Sequence, residues 1–302
     1  MTEFDLIIIG GGPAGLSAAI YAARYDLKTG IISEKIGGEI ANAPFLENYP
    51  GFKKIPGIEL VQKIEEQVRD LGVEIILAKV EDLKKIENHF QVRADDQKFQ
   101  AKAILLAIGT ERRKLGVPGE KEYLGRGVAY CSTCDGPLFR GKTVVVAGGG
   151  DAGLASANYL AKFCQQIYVL ELAPKLTAEP YWQDKIKTVK NVKIYTGATI
   201  KKIIGNQTVE GLIFETKDKE QKIKIDGIFI EIGSAPNTEL TKKMNLELDK
   251  RGFIKIDQSG ATSQKGIWAA GDITTGSDYF WQSIPAMAEG AIAAHSIYKY
   301  LK

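Results

Sequence analysis

At 302 residues the chain is long enough for two domains, and its 44% hydrophobic and 25% charged content is that of an ordinary globular protein. A net charge of +3 without a dense Lys/Arg cluster argues against a nucleic-acid partner or an anionic membrane surface. No apolar run reaches the ~18–20 residues needed to span a bilayer. Met1 to Asp5 is acidic and runs straight into an apolar strand without the basic region of a signal peptide, so a cytoplasmic protein is expected. Three cysteines cannot build a disulfide framework, and two histidines with Cys164 show no ligand spacing, so no metal site is expected.

Leu6-Ile7-Ile8-Ile9 is a short β-branched run that ends in Gly10-Gly11-Gly12-Pro13-Ala14-Gly15, after which Leu16 to Arg24 is Ala-rich and helical in character. This is strand, tight turn, helix. The turn holds G-x-G-x-x-G: Gly10, Gly12 and Gly15 permit the bend, close approach of a pyrophosphate, and tight helix–strand packing. A second run, Thr29 to Ile32, delivers Glu34 at the distance expected of a carboxylate that accepts ribose hydroxyls. Gly38, Glu39 and Ile40 and then Asn48-Tyr49-Pro50-Gly51 lie in a turn-rich segment of the kind that covers a ligand. Ile58 to Leu71 has helical spacing, and strands are predicted around 74–77, 81–86 and 90–93. Ala103 to Ile108 is too apolar for an edge strand and returns to the central sheet ahead of Gly109.

Tyr130-Cys131-Ser132-Thr133-Cys134-Asp135-Gly136 pairs two thiols with an acid. A Cys-x-x-Cys at the start of a helix holds a reversible disulfide, because helix-terminal N–H groups lower a thiol pKa and the sulfurs lie close enough to bridge; Asp135 is placed to handle the proton. Half of a zinc site is the weaker alternative. The chain then repeats its opening: Gly148-Gly149-Gly150-Asp151-Ala152-Gly153-Leu154 restates Gly10 to Leu16, Val144 to Val146 replaces the first strand, and Ile167 to Glu171 the second with its terminal acid. Two dinucleotide folds follow, with Gly148, Gly150, Asp151, Gly153 and Glu171 in the second. Val192–Tyr195, Val209–Glu215 and Gln221–Ile225 read as a hairpin-rich insert, closed by an apolar strand that ends at Gly233. Ser234 to Thr238 breaks structure, Ile267 to Asp272 is a strand ending in an acid, and Ser283 to Leu301 is an Ala-rich helix.

With the two glycine loops, the Cys-Ser-Thr-Cys-Asp-Gly box and Ala269-Ala270-Gly271-Asp272 in that order, the chain closely resembles the low-molecular-weight thioredoxin reductases over nearly its whole length. Gly116-Val117-Pro118-Gly119, Pro236-Asn237-Thr238 and Gln282 before the closing helix add to the match. The flavoprotein subunit of alkyl hydroperoxide reductase is also similar at Leu170 to Pro174, and its additional thioredoxin-like region is not in this chain, which implies a separate protein substrate.

The resemblance implies an α/β protein of two Rossmann-like, three-layer ββα dinucleotide-binding domains, the second inserted in the first. The FAD-binding domain would be 1–112 with 242–302, and the NAD(P)-binding-like domain 113–241 would carry the cysteines and rotate about linkers near 113–118 and 240–245. Gly10, Gly12, Pro13, Ala14, Gly15, Glu34, Gly38, Glu39, Ile40, Val80 and Gly109 would serve the FAD site. Gly271 and Asp272 would meet its ribityl–phosphate part, Asn48 and Gln282 would lie near the isoalloxazine, and Ser283 would also be cofactor-binding. Gly148, Gly150, Asp151, Gly153, Glu171 and Gly233 would form the pyridine-nucleotide site. Cys134 would face the flavin, Cys131 would attack the partner disulfide, and Asp135 would be the acid/base; a homodimer is implied.

Members that use NADPH carry His-Arg-Arg where this chain has Leu170-Glu171-Leu172. The acid pair after the second loop is Ala155-Ser156 here, the basic residue before Gln282 is Trp281, and Glu39 stands where Gln is usual. The expected donor is therefore NADH, with NADPH disfavoured and ferredoxin the alternative. A flavin electron carrier or redox sensor without turnover is the reading from a different class.

Overall fold

The computed structural model describes residues 2–217, 219–237 and 239–302; Thr238, part of the expected break, lies outside the described residues. The chain opens with β1 (Thr2–Gly11), α1 (Pro13–Arg24), β2 (Thr29–Ile36), α2 (Gly57–Asp70), β3 (Glu74–Leu77), β4 (Val80–Ile86), β5 (His89–Ala94), β6 (Gln97–Leu106) and β7 (Thr110–Arg112). Its middle holds β8 (Val128–Ala129), α3 (Ser132–Asp135), β9 (Thr143–Ala147), α4 (Asp151–Leu160), β10 (Gln166–Glu171), α5 (Pro180–Lys187) and β11 (Val192–Thr196). Next come β12 (Ala198–Gly205), β13 (Val209–Thr216), β14 (Lys219–Lys224), β15 (Gly227–Ile230) and β16 (Ser234–Pro236), before α6 (Glu239–Lys243), β17 (Ile267–Ala269) and α7 (Ser283–Leu301). Two compact units result, one of the chain up to Glu111 with Pro236–Lys302, the other Arg112–Ala235.

In the first unit β1 is apolar at consecutive positions because both its faces are covered. Leu6 and Ile8 join a core with Leu16, Val61, Ile64, Val68 and Ile297 from α1, α2 and α7. Phe4, Ile7 and Ile9 point the other way, to Leu83, Val92, Phe99 and Ile254. Each such side chain, fully buried, contributes about 1.5–3 kcal/mol. The sheet runs β3-β2-β1-β6-β5-β4, with β17 beside β6. One edge of β6 is lined by parallel β1; the other is shared, by antiparallel β5 over 97–101 and by parallel β17 over 104–106. α7 closes on α1 where Gly290 leaves room for the Ala14 carbonyl and Ser17 Oγ donates to Met287 O at 2.8 Å.

The second unit repeats this logic. Val145 and Ala147 of β9 face one core and Val144 and Val146 the other, in a parallel sheet ordered β11-β10-β9-β15-β8. β11 differs from the expected hairpin strand: Val192 pairs with Ile167 of β10 in parallel, and the antiparallel part is β12-β13-β14 alone. The alternation Val192-Lys193-Ile194-Tyr195 marks a strand and does not name its partner. The linker expected at 240–245, and with it a boundary at 241/242, also shifts. Leu240 and Leu246 are buried in the first unit's core and Lys243 Nζ donates to Glu81 O at 2.7 Å, so the units divide at Ala235/Pro236. Near 113–118, the Leu115 and Gly116 amides donate to buried Glu120 at 2.9 and 2.7 Å, which makes that stretch an ordered turn. Among the described residues no helix is long and apolar enough to cross a membrane.

Candidate active site

The two glycine loops are built alike. Gly10 and Gly148 have φ of 111° and 115°, and a Cβ on either would overlap a carbonyl of the adjoining strand end, Ala107 O or Glu231 O. A Cβ on Gly15 or Gly153 would overlap the Gly10 or Gly148 carbonyl, so these glycines let helix and loop pack. The middle glycines are different. Gly12 (φ −79°, ψ −174°) and Gly150 (φ −83°, ψ −174°) have backbone conformations open to any residue. A Cβ would stand 3.9 Å from Gly38 Cα at Gly12 and 3.5 Å from Thr177 Oγ1 at Gly150. Nothing in the protein demands glycine there. Each heads a helix as its N-cap without a side chain to satisfy the first amides, so the loop fits a pyrophosphate that approaches the backbone.

The acids that end the second strands occupy different surroundings. Glu34, late in β2, is exposed. Glu171 is 9% exposed, and its carboxylate accepts from the amides of Gly149 and, at 2.7 Å, Ala173. Asp151 accepts from the Glu179 amide at 2.7 Å, holding the segment after β10 against the loop. Gly109 and Gly233, which follow β6 and β15, have φ of 60° and 87° with open space where a Cβ would stand. Pro13 takes the first turn of α1, Ala14 and Ile40 are buried in the core, Glu39 is exposed, and half-buried Val80 opens β4.

Asn48 and Gln282, 234 residues apart, are brought together: Asn48 Nδ2 donates to Gln282 Oε1 at 3.1 Å. Ser283 begins α7 beside them, half-buried. Next to Gln282, Trp281 Nε1 is buried without a hydrogen-bond partner, alone among the described side-chain atoms in this, and so leaves a donor for an acceptor the protein does not supply. Gly271 (φ 81°) lets the chain turn into Asp272, whose carboxyl is pushed up to about 6 by burial, then by Glu289 and Glu39. Folding thus favours protonated Asp272, and between pH ~4 and ~6 the native state holds a proton that the unfolded chain has released. Stability present below that window is lost as pH rises through it, on the order of 3 kcal/mol. Urea titrations of ligand-free protein across this range should show the loss, and Asp272→Asn should flatten it; an equal slope in the variant refutes the assignment.

Cys131 and Cys134 are joined as a disulfide with Cα atoms 5.4 Å apart. Cys131 is the N-cap of α3, and the Cys134 amide donates to its Sγ at 3.1 Å. Cys134 is exposed, while Cys131 and Asp135 are half-buried. The Asp135 amide closes the turn onto Cys131 O at 3.1 Å. The preceding Tyr130 donates to Glu120 at 2.6 Å, and burial together with that carboxylate keeps its hydroxyl protonated. Cys164 is buried and its thiol is pushed up to about 11 by burial, the environment of an inert thiol.

Two groups of residues escaped the sequence reading. Glu289 of α7 accepts from the Gly271 amide and Thr274 Oγ1, each at 2.8 Å, and from Ser277 Oγ at 2.6 Å, which fixes the turn that carries Asp272. Ser132, Ser156, Glu231 and Arg112 form a hydrogen-bonded chain in the second unit. Its signal was present: Glu231 is the one charge within Gly227-Ile228-Phe229-Ile230-Glu231-Ile232-Gly233.

A disulfide at a helix start, in a unit that repeats the glycine loop of the first, marks a protein of two dinucleotide folds whose second carries a Cys-x-x-Cys pair. The chain belongs to the pyridine nucleotide-disulphide oxidoreductase family, which it matches over residues 4–294. It is similar to the solved thioredoxin reductases of T. acidophilum (37% identity, TM-score 0.94) and Lactococcus lactis (33%, 0.95), with 99% of each chain covered. Among curated proteins it is 37% identical to the Bacillus subtilis protein named NADH dehydrogenase and 39% identical to an alkyl hydroperoxide reductase subunit of Pseudomonas aeruginosa. The chain spans 58% of the length of each of these two relatives, and they cover 99% of it.

Proposed function

We propose that the chain is an FAD-dependent disulfide reductase that takes electrons from NADH and delivers them through Cys131 and Cys134 to a thioredoxin-like protein. The observation that carries the reading is the redox pair: a disulfide in the first turn of a helix, one sulfur capped by an amide and the other exposed. Gly10, Gly12, Gly15, Glu34, Gly271 and Asp272 would hold FAD, with Asn48 and Gln282 at its ring. When bound, FAD supplies two-electron exchange between a hydride donor and a disulfide.

The chain's own part concerns sulfur and protons. The Cys134 amide, aimed at Cys131 Sγ, would stabilise a thiolate there, which supports Cys131 as the attacking sulfur. Its attack on the partner's disulfide forms a mixed disulfide and releases one partner thiolate; Cys134 then attacks Cys131 Sγ, re-forms the pair and releases the other. Two electrons leave the pair; the first partner thiolate regains from solvent the proton that Cys131 gave up on ionising, and Asp135, in the same turn, takes the proton of Cys134 as it attacks and passes it to the second. The reading takes the first unit as the FAD domain and the second as the nucleotide and redox domain. A cytoplasmic setting follows from the cysteine count, and a homodimer from the family resemblance.

Charge favours NADH as the donor. Glu171 sits buried beside the second loop, where a carboxylate suits an unmodified ribose and repels a 2′-phosphate. Two like charges about 5 Å apart at an effective dielectric of ~20 cost about 3 kcal/mol, roughly a hundredfold in affinity. No arginine lies between Gly141 and Lys250 to offset this, and Lys175 lacks the bidentate fork. Anaerobic titration is expected to bleach the flavin with stoichiometric NADH and to need about a hundredfold more NADPH. Flavin untouched by NADH yet reduced by ferredoxin would overturn the donor assignment.

A further inference from the structure

The second unit buries a polar chain that the sulfur chemistry above does not use. Ser132, the residue after Cys131, is 4% exposed, and its Oγ donates to Ser156 Oγ at 2.9 Å. Ser156, 5% exposed on α4, donates in turn to Glu231 Oε1 at 2.8 Å. Glu231, whose side chain is 6% exposed, takes Arg112 Nη1 on its other oxygen at 2.8 Å. A buried carboxylate must be charge-paired and hydrogen-bonded to remain ionised, and Arg112 and Ser156 meet both demands. The direction of donation is then fixed. Glu231 accepts only, so the Ser156 hydroxyl proton points to it, and the Ser156 lone pairs face Ser132, which must donate. A short redox helix, held within itself by little more than one turn, is thereby tied at its first residue to a longer helix and an anchored charge.

We propose that Glu231 is a positioning residue for the Cys131–Cys134 turn, acting through Ser156 and Ser132. The inference rests on the reading of this pair as the redox centre. It predicts that the disulfide and dithiol states are weighted by the polar chain, because the chain holds the turn in the geometry in which the sulfurs meet. Breaking it at any link frees the same turn, so the effects of two breaks do not add.

The test uses flavin-loaded protein and reads the pair itself: the equilibrium constant with oxidised and reduced glutathione, and the pH profile of iodoacetamide alkylation of the reduced thiols. Ser156→Ala and Glu231→Ala are each expected to shift the glutathione constant at least fivefold, with the double variant no further than either single one. Ser156→Thr, which keeps the hydroxyl, should return to within twofold of the parent. Ser132→Ala removes only the last hydroxyl and should give the same shift even where Glu231→Ala does not fold. Unchanged constants and alkylation profiles in flavin-loaded Ser156→Ala and Ser132→Ala, or shifts that add, overturn the proposal. Failure to reduce a thioredoxin-like protein would instead strike the functional reading, since the glutathione equilibrium is measured without that partner.

Discussion

Serine at Cys131 or at Cys134 is expected to lower disulfide reduction on the order of 10³-fold or more, with reduction of the flavin by its donor left within about twofold. The pair is a single disulfide whose two sulfurs each form and break a bond in the exchange, so neither variant retains a partial pathway. Cys164→Ser should act within about twofold on both steps, because that thiol is buried, held protonated and absent from the pair. Stopped-flow traces of flavin reduction beside steady-state reduction of a protein disulfide separate the two steps. A dead Cys164 variant with a dispensable pair would show that the redox centre has been misplaced.

Gly12→Val is expected to empty the protein of flavin while leaving its fold, and Gly15→Val to damage the fold itself. The contrast comes from the two sites. At Gly12 the backbone is extended and the nearest atom to a new Cβ is 3.9 Å away, so the cost to the polypeptide is about 1 kcal/mol or less. At Gly15 a side chain must displace the Gly10 carbonyl, which costs several kcal/mol by overpacking, roughly 3 or more. Flavin content measured after expression with flavin supplied, beside urea midpoints of the flavin-stripped proteins, distinguishes the two. The flavin released from the parent should be FAD, since the loop and Glu34 suit a pyrophosphate and an adenosine ribose. Release of FMN, or full flavin content in Gly12→Val, would remove the basis for placing a dinucleotide at this loop.

Much of this was legible in the residues. The continuous apolar runs of β1 and β9 declared strands covered on both faces, and the repeated glycine loops announced two folds. Other features had no periodic signature. Ser132, Ser156 and Glu231 are separated by 24 and 75 residues, and small polar side chains in helices usually report nothing more than exposure. Asn48 and Gln282 were joined by resemblance, not by pattern. The stretch 240–245 is expected as a linker because it follows the break at 234–238, whereas Leu240 within it and Leu246 just after it are buried in the first unit's core. Partner choice at a strand edge, as for β11, depends on the whole sheet and is not written in any one segment.

The shared outer edge of β6 has a bearing on how the chain comes off the ribosome. Its upper half waits for β17, and the face over α1 waits for α7, so the first unit cannot be completed until residues 267–301 have emerged. Arg112–Ala235 needs nothing from either side to fill its own sheet and can condense while the earlier strands are still held open. During vectorial synthesis the middle of the chain is therefore expected to condense before the first unit is closed, and the strands of that unit would be the stretch most open to aggregation and chaperone capture.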